Sequence, residues 1–266
     1  TRYSTEVDEP MKISGTNTKG SFDRYGAVNS IRALAVSSNV YMFKSVIKLA
    51  GGTYAYDQPL GITDAMAQKT FKLMRNYYSM FGLGTKTGLD VPNEAQGFTG
   101  NTQAAGLLMD YAIGQYDSYT PIQLVQYAAT IANGGKKVQP KLVNTATEVN
   151  TDYTVYENKT NVLSALPGSK EDLETIQMGF RQVVSGEHAI DPINRLNVQV
   201  AAKTGTAEVG NYTNASLIGY APYDKKAKVA FACSVPESAT NDQSVAGNLC
   251  AYNIMPEVLE EFFKKY

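Results

Sequence analysis

The sequence lacks the features that mark several classes of protein. Its 266 residues include one histidine and two cysteines, and these are not spaced as the ligands of a metal site are. Lysine plus arginine number 24 against 25 for aspartate plus glutamate, so there is no basic excess for binding nucleic acid. No segment reaches the roughly 18 continuous apolar residues of a membrane-spanning helix. What remains is a globular composition with enough residues for one large domain.

The few cysteine and histidine residues lie in unremarkable surroundings. Cys233 is in an apolar, strand-like run, KVAFACSV, and Cys250 is in a helix-like segment near the end. Two residues do not define a disulfide framework, so a pair of buried thiols is the favoured interpretation and a mutual disulfide is the alternative. His188 lies in the polar turn VSGEHAI, where a solvated side chain is favoured over a catalytic base.

Helical periodicity is punctuated by glycine and proline, and no internal repeat divides the chain, so one domain is expected. Thr120 and Pro121 give the clearest start signal, because a capping hydroxyl and a proline precede an apolar stripe that two glycines end. Thr63 or Asp64 is expected to cap an earlier helix. The predicted helices cover approximately residues 27–35, 39–50, 63–81, 121–133, 170–184 and 245–266, the last with a kink or restart at Pro256.

Three strand-like segments follow one another late in the chain. They are NVQVAAKTGTAEV (197–209), NASLIGYAPY (214–223) and KVAFACSV (228–235), separated by polar turns. Consecutive strands with short connections predict an antiparallel meander, and a terminal helix is expected to cover one of its faces.

The run Lys203–Thr204–Gly205–Thr206 places a cation inside an apolar, alternating segment. Burying a lysine costs free energy unless an anion meets it, and Gly205 lets a ligand approach the backbone. A free N–H on an edge strand also suits a developing oxyanion. The alternative is a lysine that reaches solvent from a glycine-weakened strand. The second copy, Lys86–Thr87–Gly88, is flanked by glycine and proline, so we assign it a structural role in a loop.

Two serine motifs stand close together in SSNVYMFKSVIK. Ser37–Ser38–Asn39 lies at the junction of two predicted helices, and Ser45 to Lys48 forms a Ser-x-x-Lys pattern on the second of them. Ser45 lies about 9 Å along the helix axis from Asn39, so it is not expected to face the same ligand. For Ser37 and Asn39 the alternative to a catalytic role is helix capping.

The order of these motifs resembles the transpeptidase domain of penicillin-binding proteins, in which Ser-x-x-Lys comes first, Ser-x-Asn second and Lys-Thr-Gly last. The segments SSNVYMF, GLDVPNEAQG, TPIQLVQYAATIANGG and AAKTGTAE are similar to class B members, the monofunctional peptidoglycan D,D-transpeptidases. The resemblance covers nearly the whole chain. It implies a fold of the α/β (α+β) class, of the penicillin-binding protein and serine β-lactamase type, over residues 1–266. That fold is a mainly antiparallel sheet with flanking helices and a helical subdomain.

The resemblance also implies roles for individual residues. Ser37 belongs to a proton-relay network, and Asn39 hydrogen-bonds the peptide amide of the substrate. In this family a serine attacks the penultimate D-Ala carbonyl of a stem peptide, releases the terminal D-Ala and passes the acyl group to an amine of a neighbouring peptide. β-Lactams acylate the same serine. No metal or other cofactor is implied.

The remaining implied roles fall on the late strand. Lys203 with Thr204 holds the terminal carboxylate of the D-alanyl-D-alanine peptide, and the backbone N–H of Thr206 forms half of the oxyanion hole. Gly205 belongs to the substrate-binding edge. Glu208 is a candidate for its rim.

The sequence departs from the family pattern at the nucleophile. Family members carry Ser-x-x-Lys several tens of residues before Ser-x-Asn, whereas the residues before Ser37 contain none. We expect residues 1–266 to be the C-terminal part of a transpeptidase domain, with an upstream fragment that supplies the serine. The family further implies an N-terminal anchor, a location on the outer face of the bacterial cell membrane, and a place in the cell-division or elongation machinery.

Two alternative functions stay open from the sequence. One is a β-lactamase or β-lactam sensor of the same fold, although no second carboxylate motif such as E-x-x-x-N stands out. The other is a non-catalytic peptide-binding or scaffold protein that lacks a nucleophile. Turnover of a β-lactam separates the first from a transpeptidase, and reversible binding without a covalent adduct identifies the second.

Overall fold

Helices and antiparallel strands alternate through the chain in the computed structural model, which describes residues 4–240 and 248–266. Helices α1 to α8 span Ser30–Ala35, Asn39–Leu49, Asp64–Met80, Ala105–Ala112, Pro121–Ala132, Lys170–Ser185, Asp191–Asn194 and Met255–Lys265. Strands β1 to β9 span Glu6–Asp8, Gly26–Val28, Lys136–Val138, Thr145–Thr147, Thr154–Glu157, Val162–Ala165, Ala201–Val209, Tyr212–Ala221 and Val229–Thr240. None of these helices is long and apolar enough to cross a membrane.

Hydroxyl caps fix the starts of two predicted helices. Thr63 Oγ1 accepts the Met66 N–H at 3.3 Å at the start of α3. Thr120 and Gln123 form a reciprocal capping box at the start of α5, with Pro121 in its first turn. These side chains satisfy N–H groups that have no partner within the helix. Both helix predictions are confirmed.

The first helix begins later than the sequence suggests. It was expected from Ala27, but Gly26–Val28 forms β2 and pairs with β1. Asn29 then caps α1, because its side chain accepts the Arg32 N–H at 2.9 Å. The helix therefore starts at Ser30, since a residue cannot serve the strand ladder and the helix at once.

The end of the chain also differs in detail. A π-helical turn at Cys250–Ile254 leads into α8, and Pro256 lies in the first turn of α8. Proline has no N–H to donate, so it is tolerated there and marks a new start. The predicted beginning of this helix at Val245 lies outside the described residues. Helices α4 and α7 and strands β1 to β6 were not predicted, because they are short or weakly periodic.

The three long strands form the antiparallel meander that the sequence predicted, in the order β7–β8–β9. One face packs against α5 and α6 through a cluster that includes Ile131, Phe180 and Tyr220. The other face packs against the π-helical turn, α7 and α8 through a cluster that includes Leu217 and Leu259. Within the described residues β7 pairs only with β8, so its other edge is free of strand partners.

A separate helical cluster makes up the expected helical subdomain. Helices α2, α3 and α4 enclose buried side chains such as Ile47, Phe71 and Leu108. The rings of Phe71 and Tyr111 stack with centroids 5.0 Å apart. Because α2 begins directly after Ser38, packing of this cluster sets the position of the Ser-x-Asn turn.

The second Lys-Thr-Gly copy has a structural role. The Glu94 carboxylate accepts the N–H groups of Thr87 at 2.6 Å and Gly88 at 3.1 Å. Burial alone raises the pKa of Glu94, but the hydrogen bonds from the Thr87 hydroxyl and from these N–H groups outweigh it and hold the pKa below its ordinary value. Gln126 of α5 also donates to the Thr87 carbonyl at 3.2 Å. The backbone of this loop is therefore held in place by hydrogen bonds to the side chains of Glu94 and Gln126.

Cys233 and Cys250 are joined by a disulfide, so the interpretation as two buried thiols is wrong. Cys233 lies on β9 and Cys250 at the start of the π-helical turn, which packs on that sheet face. Their Cα atoms are 5.7 Å apart, within the range that a bridge requires. Sequence spacing cannot indicate this proximity, because it arises from packing between a strand and a helix.

Removing this disulfide is expected to destabilise the protein. A bridge that closes a loop of about this length contributes about 3 kcal/mol by limiting the unfolded chain. Replacing both cysteines by alanine should lower the midpoint of urea unfolding by about 1 M. A reductant should shift the wild type in the same direction and leave the double variant unchanged. Equal midpoints for both proteins would show that the bridge adds no stability.

Candidate active site

Two motifs that are far apart in the sequence meet beside the edge of β7. Lys203 Nζ donates a hydrogen bond to Ser37 Oγ at 2.5 Å and another to the Thr204 carbonyl at 3.0 Å. Lys203 is on β7 and Ser37 is in the turn between α1 and α2. The structure therefore brings the Ser-x-Asn and Lys-Thr-Gly motifs into direct contact.

The turn that carries Ser37 holds it in an uncommon backbone conformation. Ser37 has φ of 55°, in the left-handed region that few residues other than glycine adopt. Its side chain is exposed, whereas Ser38 is buried. Ser38 Oγ accepts the Tyr41 N–H at 3.0 Å and caps α2. Capping therefore falls to Ser38, which leaves Ser37 facing Lys203.

Asp8 holds this turn in place from the protein interior. The residue is 1% exposed, and its Oδ2 accepts hydrogen bonds from Ser38 Oγ and, at 2.7 Å, from Ser21 Oγ. Ser21 Oγ in turn accepts the Val40 N–H at 3.3 Å. A buried polar group is stabilised when its hydrogen bonds are satisfied, and such a network fixes its members in place. Sequence reasoning missed Asp8, because nothing in EVDEP distinguishes it from a surface carboxylate.

Asn39 is the first residue of α2 and lies next to the buried network. Its Nδ2 donates to the Gly20 carbonyl at 3.2 Å. This bond ties α2 to the segment that precedes β2. Asn39 is not the helix cap, so the capping alternative fails for this residue as well. The bond directs the amide group, which is half-buried.

The surroundings of Lys203 lower the pKa of its side chain. Burial lowers the pKa of Lys203 from 10.5 to about 8, since desolvation disfavours the charged form. The residue nevertheless keeps some solvent access. At pH 7 the side chain is still mainly a cation. Among the described residues, no carboxylate lies within ion-pair distance of its Nζ.

The rest of the late motif lies along the free edge of β7. Gly205 lies opposite Ser216 of β8, and a Cβ at position 205 would be 2.4 Å from Ser216 Oγ. A side chain at position 205 would therefore displace the Ser216 hydroxyl, which glycine leaves in place. Thr206 is exposed beyond it. Glu208 is also exposed but lies about 17 Å along the strand from Lys203, so the structure does not bring it to the Ser37 contact.

Ser45 and Lys48 have partners of their own. Ser45 Oγ donates to the Tyr41 carbonyl at 2.7 Å within α2, and Lys48 forms an ion pair with Glu6. This Ser-x-x-Lys pattern is thus part of the exposed surface of α2. His188 is also exposed and meets the ring of Tyr25 edge-on, at 5.9 Å between centroids, as expected for a solvated loop residue.

Comparison with known proteins gives consistent matches. Residues 2–256 match a family model described as the penicillin binding protein transpeptidase domain. Penicillin-binding protein H of Bacillus subtilis (strain 168) is 39% identical over 257 residues, which make up 91% of this chain and 35% of the relative. The peptidoglycan D,D-transpeptidase PbpA of Mycobacterium tuberculosis (strain CDC 1551 / Oshkosh) is 32% identical over 190 residues, or 67% of this chain and 36% of the relative.

A solved structure gives the same result for the fold. Penicillin-binding protein 2B from Streptococcus pneumoniae (strain R6) matches with a TM-score of 0.90 at 27% identity, and the match covers 100% of this chain and 44% of that chain. The chain spans little more than a third of the length of the two curated relatives, penicillin-binding protein H and PbpA.

Proposed function

Because the chain belongs to the penicillin-binding protein transpeptidase family, we propose that the cleft between Ser37 and Lys203 is part of a peptidoglycan D,D-transpeptidase site. The reaction is transfer of the acyl group of a D-alanyl-D-alanine stem peptide to an amine of a neighbouring peptide. The observation that carries the proposal is the 2.5 Å contact between Lys203 Nζ and Ser37 Oγ. That contact joins two family motifs at one edge of the sheet.

Lys203 is the proposed anchor for the substrate carboxylate. It is a partly desolvated cation without an ion-pair partner in the described part of the chain. A carboxylate at this place receives a charge-assisted hydrogen bond, stronger than a neutral one. Thr204, which follows on the same strand, is proposed to donate a second hydrogen bond to the carboxylate from its hydroxyl group. β-Lactams carry a carboxylate at the matching position.

The acyl transfer needs a proton relay and an oxyanion site. We assign Ser37 to the relay, Asn39 to the peptide amide of the substrate, and the Thr206 N–H to the oxyanion. The nucleophilic serine forms an ester with the penultimate D-Ala as the amide C–N bond breaks, and the terminal D-Ala leaves with the serine proton. The acceptor amine then attacks the ester, and the serine hydroxyl is regenerated. Glu208, farther along the strand, is at most a contact for the rest of the stem peptide.

We propose that the nucleophilic serine comes from outside residues 1–266. Ser45, the serine of the chain's own Ser-x-x-Lys pattern, donates within its own helix and does not face Lys203. The proposal extends to an upstream segment as the partner of this chain, to a location on the outer face of the bacterial cell membrane, and to work within cell-division or elongation machinery. The disulfide is compatible with that location, since such bridges persist in oxidising environments.

Intact mass after incubation with a β-lactam tests the proposal. One sample is the 266-residue chain, and the other also contains the upstream segment. We expect a covalent adduct only in the second sample, with the modified serine in the added segment. An adduct on the chain by itself would place the nucleophile within it and return attention to Ser45. Reversible binding without an adduct in either sample would identify a non-catalytic module, and rapid loss of the adduct with β-lactam turnover would identify a β-lactamase.

A further inference from the structure

Asn248 contacts the back of the Lys-Thr-Gly strand. Its Nδ2 donates to the Gly205 carbonyl at 3.0 Å and to the Ser216 carbonyl at 2.9 Å. These two carbonyls belong to residues that lie directly opposite each other on β7 and β8. One amide group therefore bridges the two strands at the point where β7 has its glycine. Ser216 Oγ adds a weaker contact to the same Gly205 oxygen at 3.3 Å.

The Gly205 carbonyl shares a rigid peptide unit with the Thr206 N–H. The six atoms of a trans peptide lie in one plane, with the C=O and the N–H pointing in opposite directions. Asn248 and Ser216 hold the Gly205 oxygen on the β8 side. The Thr206 N–H therefore points away from β8, toward the free edge of β7. Fixing one end of the peptide plane fixes the direction of the other.

Asn248 is itself held in place by the C-terminal segment. Its Oδ1 accepts the Ala251 N–H at 3.1 Å, at the start of the π-helical turn. Two residues after Asn248, Cys250 is bonded to Cys233 of β9. Cys250 and Ala251 are both buried. The amide is thus tied to the sheet through the disulfide as well as through its own hydrogen bonds.

We propose that Asn248 is a positioning residue for the oxyanion donor. By holding the Gly205 carbonyl, it keeps the Thr206 N–H aimed at the place where negative charge develops during acylation. Such donors act only when they are pre-oriented. This role rests on the proposed transpeptidase function, and it acts through Gly205 and not through contact with substrate.

The substitution Asn248→Asp separates the hydrogen bond that this side chain donates to Gly205 from the one that it accepts from Ala251. Aspartate has nearly the same shape and keeps an oxygen for the Ala251 N–H, but it cannot donate to Gly205. In the complete domain, with its nucleophile, stopped-flow mixing with a chromogenic β-lactam gives Kd and the acylation rate constant k2. We expect k2 to fall about tenfold, which is less than the effect of losing an oxyanion donor outright, because the Thr206 N–H is misdirected but still present. Kd should stay within about threefold of the wild-type value. Asn248→Ala should lower k2 in the same way.

Asn161→Asp is the matched control, since Asn161 also donates a side-chain amide bond, to Gln139 Oε1 at 2.9 Å, on the exposed surface. Its k2 should equal that of the wild type. Because k2 is a first-order constant, incomplete folding lowers the amplitude of the reaction but not k2. An unchanged k2 in Asn248→Asp, beside a wild type that is acylated, overturns the role of Asn248 alone. A wild type that is never acylated overturns the proposed function and this role with it.

Discussion

Thr206→Pro is expected to lower the acylation rate constant of the complete domain by about a hundredfold or more, the effect of losing one oxyanion donor. Proline has no N–H, so the substitution removes the group that we assign to the developing charge. The position tolerates it, because within the described residues β7 pairs only with β8 and the Thr206 N–H points away from that ladder. Proline is accepted on edge strands where its nitrogen faces outward.

Thr206→Ala is the control for this result. It removes the hydroxyl and the methyl group but keeps the N–H, so k2 should remain within about threefold of the wild type. Both variants are measured with the same β-lactam, and Kd is determined separately from k2. A proline variant that is acylated as fast as the alanine variant would exclude the Thr206 N–H from the oxyanion site.

The parts of the site that were visible in the sequence share one property. Lys203 stands out because a cation inside an apolar, alternating run conflicts with its local surroundings. Such conflicts often mark functional sites, where another group, here an anion, offsets the cost of burying the charge. The three late strands and the helix after Thr120 were also predicted correctly, since their signals are local. The expected penicillin-binding protein fold is confirmed by the family match over residues 2–256 and by the solved structure of penicillin-binding protein 2B.

The parts that were missed depend on contacts between distant segments. Asp8 and Asn248 are single polar residues that no local motif distinguishes, and each takes its place only when the fold packs it against a turn or a strand. The disulfide was missed for the same reason, because neither Cys233 nor Cys250 carries a local signal. Sequence patterns report burial and periodicity, whereas a hydrogen-bond partner 30 or 43 residues away is set by packing.

These missed residues explain how the site is held. Asp8 fixes Ser38 from within, and so leaves Ser37 in a left-handed conformation that a free chain would avoid. On the facing side, Asn248 fixes the peptide between Gly205 and Thr206. The Ser-x-Asn and Lys-Thr-Gly motifs are therefore held by the side chains of Asp8 and Asn248, which lie on the sides of the two motifs away from the cleft. The sides of the motifs that line the cleft remain open to a ligand.

Lys203→Ala is expected to lower the second-order acylation constant, k2/Kd, by one to two orders of magnitude. The substitution removes a charge-assisted hydrogen bond, worth about 1.5–3 kcal/mol. Most of the loss should fall on Kd, since the contact to the carboxylate forms before acylation. Lys203→Arg, which keeps the positive charge, is the matched variant and should retain more of the affinity than Lys203→Ala. Unchanged acylation by Lys203→Ala would remove this residue from the site.

The pH dependence of Kd gives an independent test of the same assignment. With a pKa of about 8, the Lys203 side chain is charged below that pH and loses its proton above it, so affinity for the β-lactam carboxylate should weaken as pH rises from about 8. A bound carboxylate favours the charged form and moves the midpoint upward. Arginine stays charged throughout, so Lys203→Arg should bind with a flat profile. Unfolding linked to Lys203 cannot imitate this loss: between about pH 8 and 10.5 the unfolded chain binds more protons than the folded one, so this group makes the folded state more stable as pH rises.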